Sequence, residues 1–449
     1  MKKIFQYIIL AVVTIVMASC TSDIEETTAT TGKSNVQLVV GEFPAFGDSQ
    51  TRAIGTPDAG KTSWAVGDEL ILEIAKTSYG RHSATFTYNG KSWELTSGEL
   101  VYLEGDPAYI PHVYYAPNYK WEAGELFLKK GKVAGTDEYI EGKAIITGNG
   151  ETITVSFAEA TRKYSRLRIA TLPNEQITVD TEDFTPAGSS DMEQKGNYTL
   201  TSDEKGNAYL YGTFENNSEV TVKYREAALT TYTFSQATES AKSYALDATV
   251  ISANSAEEIK SAIEQKVADG KTTIRLNLAP NAGTNEFMAI REAIKGAAPN
   301  DLGTIELTII GVETIPEEAF YKMLQLKSVR MSDVKEIKKY AFKECQYLTV
   351  VEAPSLNKLY SGAFKNCDQL SKLTFGPINY ADERNWPIFE YITPNIDLIL
   401  SDYQKEMIET DDYLYTANND RDYAGSDEHN SKNFLGREFK SITCRYPVE

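Results

Sequence analysis

Histidine and cysteine, the side chains most used for metal binding and nucleophilic chemistry, are scarce in this chain of 449 residues. There are three histidines and four cysteines, and no histidine lies at the spacing of a metal-binding or nucleophile motif. The chain also lacks a glycine-rich phosphate loop and a dinucleotide-binding fingerprint. These absences predict a protein that is not an enzyme and that uses no cofactor or metal.

The nearest approach to a metal-binding loop is Asp420-x-Asp422-x-x-Gly425, which begins like a calcium-binding EF-hand loop. Its fifth position is Ala424 and its twelfth is Ser431, so the carboxylate that completes a calcium shell is missing. We interpret this segment as an acidic turn.

Basic residues are too few to balance the acidic ones: 45 Lys and Arg stand against 64 Asp and Glu, a formal net charge of -19. An acidic chain repels the phosphate backbone, so no nucleic-acid partner is expected. Long apolar runs are also missing after residue 20, and no later segment is expected to span a bilayer.

The start of the chain has the pattern of a targeting segment. Lys2 and Lys3 precede an apolar stretch at 4–17, as in a signal peptide. Met-Ala-Ser-Cys at 17–20 resembles the lipobox of bacterial lipoproteins, which implies that Cys20 is acylated, for example with palmitate, and becomes the mature N-terminus. We therefore predict a lipoprotein signal peptide at 1–20; an ordinary signal peptide or a lone membrane helix are the alternatives.

Residues 21–35 are threonine-rich and acidic and have no apolar period, so we predict a flexible tether there. The acidic cluster at 22–26 resembles the export signal that sends some lipoproteins to the outer face of the outer membrane, and a plain soluble linker is an equal alternative. The predicted location is the cell outer membrane, where a lipid anchor holds the protein and leaves it exposed at the cell surface.

A repeat of 22 residues dominates the C-terminal half at 313–378. Apolar residues recur at the same positions in its three rows, and polar residues lie between them. A fixed period of this kind predicts a solenoid, in which each row forms one coil and stacking creates the core. The recurring positions are Ile315, Ile337 and Leu359; Phe320, Phe342 and Phe364; Met323, Cys345 and Cys367; Leu326, Leu348 and Leu370; Val329, Val351 and Leu373.

These rows resemble the BspA-type leucine-rich repeat, with its Ala-Phe-x-x-Cys-x-x-Leu-x-x-Val pattern; the first row departs from it at Met323. The resemblance implies a surface-exposed protein that binds host or bacterial surface ligands. Cys345 and Cys367 should be neighbours on adjacent coils. They could form a disulfide, but we favour two buried thiols that act as small apolar fillers.

Residues 36–250 show period-two alternation with frequent turn signals, which predicts short antiparallel strands in two β-sandwiches. Several motifs resemble fimbrillin-like envelope lipoproteins: Thr51-Arg52, Trp64-x-x-Gly67-Asp68, Tyr115-x-Pro117, Leu167–Ile169 and Ala241–Tyr244. In fimbrial subunits of this type, proteolysis after an arginine frees a groove for a donor strand, so Arg52 is the candidate processing site. A solenoid occupies the C-terminal half, where a polymerising subunit would keep its donor strand, and we therefore favour an accessory or stand-alone role.

The remaining segments are predicted to close the solenoid. Residues 251–312 read as an α/β cap with one helix from Ala256 to Gly270, a second at 285–295 ended by Gly296, and a degenerate coil at 303–312. Residues 379–449 read as a C-terminal strand and cap region, with strands at 396–400 and 439–446 and a helix at 403–409. The predicted fold is mostly β: tandem sandwiches of the fimbrillin or transthyretin-like kind, then a short leucine-rich-repeat solenoid with α/β caps.

Tyrosine is abundant, at 27 residues, and suits both recognition surfaces and ordinary packing. It clusters with Trp121 at Tyr109, Tyr114, Tyr115 and Tyr119, and again at Tyr413, Tyr415 and Tyr423. Three functions remain open. The first is a lipid-anchored adhesion protein whose solenoid binds a protein or glycan. The second is a fimbrial accessory, anchor or tip subunit. The third is a glycan-capture lipoprotein.

Overall fold

The computed structural model describes residues 33–48, 61–76, 80–101, 110–147, 152–157, 162–225, 227–253, 255–382, 387–402, 433–435 and 437–445. Cys20, Arg52, the acidic turn at 420–431 and the helix predicted at 403–409 lie outside these residues. Within the described part the chain is mostly β, as predicted: two β-regions are followed by a parallel solenoid with two helices near its start.

The first β-region is an eight-stranded sheet in the order β1-β6-β5-β4-β7-β10-β11-β2, with a separate hairpin of β8 and β9. Leu70 and Leu72 of β4 pack in its core with Phe86 and Leu95. The strands to this point are β1 (Lys33–Ser34), β2 (Gln37–Val40), β3 (Gly47–Asp48), β4 (Glu69–Lys76), β5 (Gly80–Tyr88), β6 (Trp93–Leu100), β7 (Val113–Tyr115), β8 (Tyr119–Glu122), β9 (Glu125–Leu128), β10 (Ile140–Thr147) and β11 (Thr152–Ser156).

The Trp-x-x-Gly-Asp motif anchors this region, with its aromatic residue packed over a tight turn. The Trp64 indole donates to the Gly41 carbonyl at 2.8 Å, and its ring lies 5.3 Å from that of Tyr115. Gly67 has φ +93°, a conformation that favours glycine. The Asp68 carboxylate accepts from the Ala65 N–H at 2.7 Å and from the Tyr115 hydroxyl at 3.1 Å, which closes the turn.

The second β-region is a sheet in the order β17-β16-β13-β15-β12-β18-β3, and β14 pairs with β13. Phe184, Phe214 and Phe234 lie in its core; the rings of Phe214 and Phe234 are stacked, and the ring of Phe184 is tilted against that of Phe214. The strands are β12 (Ser165–Ala170), β13 (Gln176–Pro186), β14 (Glu193–Thr201), β15 (Asn207–Phe214), β16 (Glu219–Tyr224), β17 (Ala227–Thr233) and β18 (Lys242–Asp247).

The strands of the two β-regions are not all antiparallel, and the expectation of purely antiparallel sheets is wrong. β1 is parallel to β6, β2 to β11, β12 to β18, and β18 to β3. Hairpins force an antiparallel direction, but these partners are far apart in the chain and meet without a hairpin. Residues 33–48, which we call the N-terminal strap, thus contribute strands to both sheets.

Two arginines hold the strap between the β-regions. Phe46 lies 3.7 Å from the Arg162 guanidinium and 4.7 Å from that of Arg166, measured to the ring centroid. Arg162 is fully buried; it donates to the Glu138 carboxylate at 2.6 Å and to the Pro44 carbonyl at 2.8 Å. Because a buried charge needs a partner, these contacts fix the strap at the junction.

The solenoid consists of a long parallel sheet, β19-β20-β21-β23-β25-β27-β29-β32, and a short one, β22-β24-β26-β28. A further hairpin pairs β30 with β31. The strands are β19 (Ile251–Ala253), β20 (Thr273–Leu278), β21 (Ile305–Ile310), β22 (Thr314–Ile315), β23 (Leu326–Met331), β24 (Glu336–Ile337), β25 (Val350–Ala353), β26 (Lys358–Tyr360), β27 (Lys372–Phe375), β28 (Tyr380–Asp382), β29 (Asp397–Ser401), β30 (Asn433–Phe434), β31 (Arg437–Glu438) and β32 (Ser441–Arg445).

The two helices precede the repeats. The first spans Ala256–Ala268, and the Ser255 side chain caps it by accepting from the Glu258 N–H. The second spans Thr284–Ala297. The helix continues through Gly296, so the prediction that Gly296 ends it is wrong. A glycine in the last turn weakens a helix without ending it.

Aromatic rings form a continuous stack through the solenoid core. Phe320, Phe342, Phe364 and Phe389 follow one another at centroid distances of 5.1, 5.4 and 5.7 Å, with interplanar angles of 20° or less. A ring closes each end of the stack nearly at right angles: Phe287 of the second helix lies against Phe320, and Phe439 lies against Phe389. One phenylalanine per coil therefore joins the coils into a single core.

Cys345 and Cys367 are free thiols, both fully buried. Each is positioned to donate its S–H to the carbonyl of the phenylalanine one coil earlier, Phe320 and Phe342 respectively, at 3.0 Å. Burial raises the pKa of Cys345 to about 12. The structure thus agrees with the interpretation of these residues as small core fillers and not as a disulfide.

The solenoid packs directly against the second β-region. Ile310 of β21 is buried in the core of that region. Arg275 of β20 donates to the Leu229 carbonyl at 2.5 Å and lies 3.9 Å from the Asp247 carboxylate. Lys266 donates to the Thr249 hydroxyl at 2.7 Å. Apolar and charged contacts together connect the two parts.

Candidate functional site

The outward side chains of the solenoid lie on three faces, formed by the long sheet, the short sheet and the turns between them. Backbone hydrogen bonds hold the turns of adjacent coils in register, as they do the strands. The backbone N–H groups of Phe320, Phe342 and Phe364 donate to the carbonyl oxygens of Ala341, Ala363 and Ile388 respectively. Because each coil repeats the last, a side chain at one position forms a column with its equivalents.

Two residues in each of the first three turns, and one in the last, have left-handed backbone conformations, with φ between 55° and 64°. Glu318, Tyr340 and Gly362 occupy the first position. The second position is occupied by Lys322, Glu344, Asn366 and Tyr391. Non-glycine residues adopt this conformation at a cost, and here the repeated backbone of the solenoid imposes it.

Tyrosine and lysine alternate along this turn face. We call Tyr321, Lys322, Tyr340, Lys343, Lys365 and Tyr391 the tyrosine–lysine face. The Lys343 ammonium lies 5.2 Å from the ring centroid of Tyr321 and 4.9 Å from that of Tyr340. On the last coil the Lys365 ammonium lies 5.5 Å from the Tyr391 ring. These distances are typical of cation–π contacts, so rings and ammonium groups fix one another.

Carboxylates complete the network on this face. Glu344 accepts from the Tyr321 hydroxyl at 3.3 Å and pairs with Lys322 at 3.4 Å. Lys365 pairs with Glu390 at 2.6 Å, and both side chains are largely buried. The Tyr391 ring is 67% exposed and remains accessible. The result is a pre-organised surface of ring faces, hydroxyls and amines, the groups that proteins use for polar recognition.

The short sheet continues this chemistry on the next face. Its outward residues include Glu336 with Lys338 and Lys358, and hydrogen bonds from these two lysines hold the pKa of Glu336 below its usual value. The Lys338 ammonium lies 4.4 Å from the Tyr360 ring centroid. Tyr360 lies 5.4 Å from Tyr380 on the next coil. Tyrosine and lysine side chains therefore lie on the short sheet as well as on the adjoining tyrosine–lysine face.

The charges of the long sheet also pair between coils, but the strands of this sheet contain no tyrosine. Glu352 pairs with Arg330 at 2.9 Å and with Lys372 at 3.4 Å, and Glu306 pairs with Lys327 at 2.8 Å. Exposed pairs of this kind contribute about 1 kcal/mol or less each. This face has fewer groups left for a ligand than the tyrosine–lysine face.

The predicted tyrosine clusters are only partly described. Tyr115 and Tyr119 are buried packing residues, and Tyr114 lies 5.8 Å from His112 in a stacked arrangement. Trp121 is half-buried on the β8–β9 hairpin. Tyr109, Tyr413, Tyr415 and Tyr423 lie outside the described residues. The tyrosine–lysine face itself was not predicted, although most of its residues could have been found at the sixth, ninth and tenth positions of the 22-residue period.

Among the described residues, no group of three or more His, Cys, Asp or Glu side chains is placed to hold a metal ion. Over the same ranges, no helix has both the length and the hydropathy needed to cross a bilayer.

Comparison with known proteins identifies the repeat. Residues 302–397 match the BspA type leucine rich repeat region in six copies, so the chain carries a BspA-type leucine-rich-repeat region that is longer than the predicted 313–378. No curated protein matches the chain. A solved structure of a candidate cell adhesion protein from Bacteroides fragilis NCTC 9343 is similar over 48% of this chain and 93% of its own, at 11% identity and a TM-score of 0.27. At that score the likeness carries no argument.

Proposed function

We propose that this chain is a lipid-anchored, non-catalytic adhesion or binding protein of the cell surface. Its solenoid presents the tyrosine–lysine face to a protein or glycan ligand, and Cys20 anchors the molecule to the outer membrane. Supporting this, residues 302–397 are a repeat region of the BspA type.

The observation that supports the proposal most directly is the pre-organisation of the tyrosine–lysine face. Lys343 is shared between two tyrosine rings, and Tyr391 presents an exposed ring at the last turn. A surface whose side chains are already fixed loses less conformational entropy when a ligand binds. The aromatic residues are the expected centres of binding energy.

The test uses the purified chain without its signal peptide, applied to immobilised extracellular-matrix proteins and mucin glycans. The double variant Tyr340→Ser with Tyr391→Ser should bind about tenfold or more weakly than the native chain. Tyr232→Ser, which removes an exposed tyrosine from the second β-region, is the control and should bind normally. Equal binding by all three proteins would refute the role of this face.

A fimbrial accessory role is the second candidate, and the N-terminal strap is the observation that favours it. The strap gives strands to two sheets, and Arg52 follows it directly in the sequence. Cleavage after Arg52 would separate the strap covalently from the rest of the chain. Mass spectrometry of the protein from cells distinguishes the roles: an acylated Cys20 supports the anchored form, whereas a chain that starts at Ala53 supports fimbrial processing.

A further inference from the structure

A cleft in the first β-region lies between strand β5 and the β8–β9 hairpin, away from the solenoid. Its volume is about 680 Å³, within the range of small-molecule sites. One wall is formed by Arg81, His82 and Ser83, and the other by residues 121–125 of the hairpin. The cleft is open to solvent, so a ligand longer than the cleft can extend beyond it.

The hairpin holds the Trp121 indole in a fixed place. Trp121 pairs with Leu126, and Tyr119 pairs with Leu128, so both aromatic residues lie on the same side of the hairpin. The turn between the strands has positive φ at Ala123 and Gly124, as in a tight two-residue hairpin loop. Tyr119 is buried and donates its hydroxyl hydrogen to the Ala187 carbonyl at 3.1 Å. The indole therefore faces the body of the protein across the cleft.

The opposite wall presents an anchored cation. The Arg81 guanidinium lies 3.3 Å from the carboxylate of Glu73, which is buried, while 63% of the Arg81 side chain remains exposed. A Cβ atom at Gly124 would lie 3.9 Å from the Arg81 Cβ, which places the tip of the hairpin against this arginine. An aromatic face and a guanidinium thus border the same space.

The charges around the cleft have both signs. Arg81 lies on one wall, and Glu122 and Glu125 lie on the other, where Glu122 also pairs with Lys120 at 2.5 Å. An anionic ligand would be repelled by the glutamates, and a cationic one by the arginine. A neutral ligand rich in hydroxyl groups meets neither repulsion, and the guanidinium donates hydrogen bonds to its oxygens.

We propose that this cleft binds a neutral pyranose unit of an oligosaccharide. The C–H face of the sugar ring stacks on Trp121, and its hydroxyls bond to Arg81. The proposal is independent of the solenoid, since its site lies in a different part of the molecule.

Isothermal titration of the chain without its signal peptide tests the proposal with hexamers of glucose, xylose and mannose as neutral sugars. At least one of these should bind, with quenching or a shift of tryptophan fluorescence. The hexamer of galacturonic acid, which is anionic, should bind at least tenfold more weakly. Failure of all three neutral hexamers, or tighter binding of the acidic one, overturns the proposal.

Substitutions locate the site. Trp121→Ala should weaken binding at least tenfold, and Trp121→Tyr, which keeps an aromatic face, should restore much of it. Phe127→Ala is the matched control, because Phe127 lies on the other side of the same hairpin and is 44% exposed; it should bind like the native chain. Unchanged binding by Trp121→Ala in a protein with a native melting temperature would place the sugar elsewhere and refute the assignment.

Discussion

Phe342 occupies the middle of the aromatic stack and is fully buried between the rings of Phe320 and Phe364. Replacing a buried phenylalanine by alanine removes apolar contacts and leaves a cavity. Phe342→Ala should therefore lower the free energy of unfolding of the solenoid by about 3–5 kcal/mol, as measured by urea denaturation. Tyr347→Ala on the same coil, where the ring is 38% exposed, is the control and should cost less than about 1 kcal/mol.

Two glycines should respond in opposite ways to the same substitution. Gly362 has φ +64° at a left-handed position of the turn, so Gly362→Ala should destabilise by about 1–2 kcal/mol. Gly296 lies in the second helix, and an added Cβ would meet nothing within 4 Å. Gly296→Ala should stabilise by roughly 0.5–1 kcal/mol. The same sign of change in urea midpoint for both variants would contradict the backbone explanation.

At the scale of the element, the thiols report on the integrity of the coils. Cys345 and Cys367 are buried, and burial raises the pKa values of both thiols well above the ordinary range. Because the thiolate is the reactive form, neither should react with a thiol reagent such as DTNB in the native protein. Both should react at once in guanidinium chloride. Rapid native labelling at either position, located by peptide mass spectrometry, would show that the coils open more readily than the structure implies.

The elements also show what could be predicted from the sequence and what could not. The coils were predicted because apolar residues recur at the same positions of a 22-residue period. Most β-strands were predicted from the alternation of apolar and polar residues. The longest strand of the β-regions, β13, could not be predicted in this way, because Asp180, Glu182, Asp183 and Pro186 interrupt its apolar pattern. Parallel pairing and the placement of β3 in the second sheet depend on contacts between distant residues. For the same reason the cleft was not foreseen, since Arg81 and Trp121 meet only after folding.

At the scale of the whole molecule, the contact between the second β-region and the solenoid should depend on pH. Burial by itself would raise the pKa of Asp247, but hydrogen bonds from Thr249 and the charges of Lys266 and Arg275 outweigh it, so the pKa lies below the usual value. A carboxylate with a lowered folded-state pKa contributes its full stabilisation above the unfolded pKa of about 4. That contribution is lost as the pH falls through the folded-state value.

Asp247→Asn should therefore be less stable than the native chain at pH 7, and the difference should shrink as the pH falls from about 5 to 3. Urea midpoints measured across this range check the prediction. Asp301→Asn removes an exposed carboxylate and should follow the native pH profile. A difference between Asp247→Asn and the native chain that stays constant with pH would mean that Asp247 has the same pKa in both states.

The N-terminal strap has a mechanical consequence for a molecule held by its N-terminus. With the proposed anchor at Cys20, tension applied to the solenoid would pass through the strap before it reaches the anchor. β2 runs beside β11 in the same direction over four paired residues, so a pull along its axis loads their hydrogen bonds in shear, all at once. Behind it, the ring of Phe46 is wedged between two arginines. The hydrogen bonds between β2 and β11 would therefore have to break together before either sheet could unfold under tension.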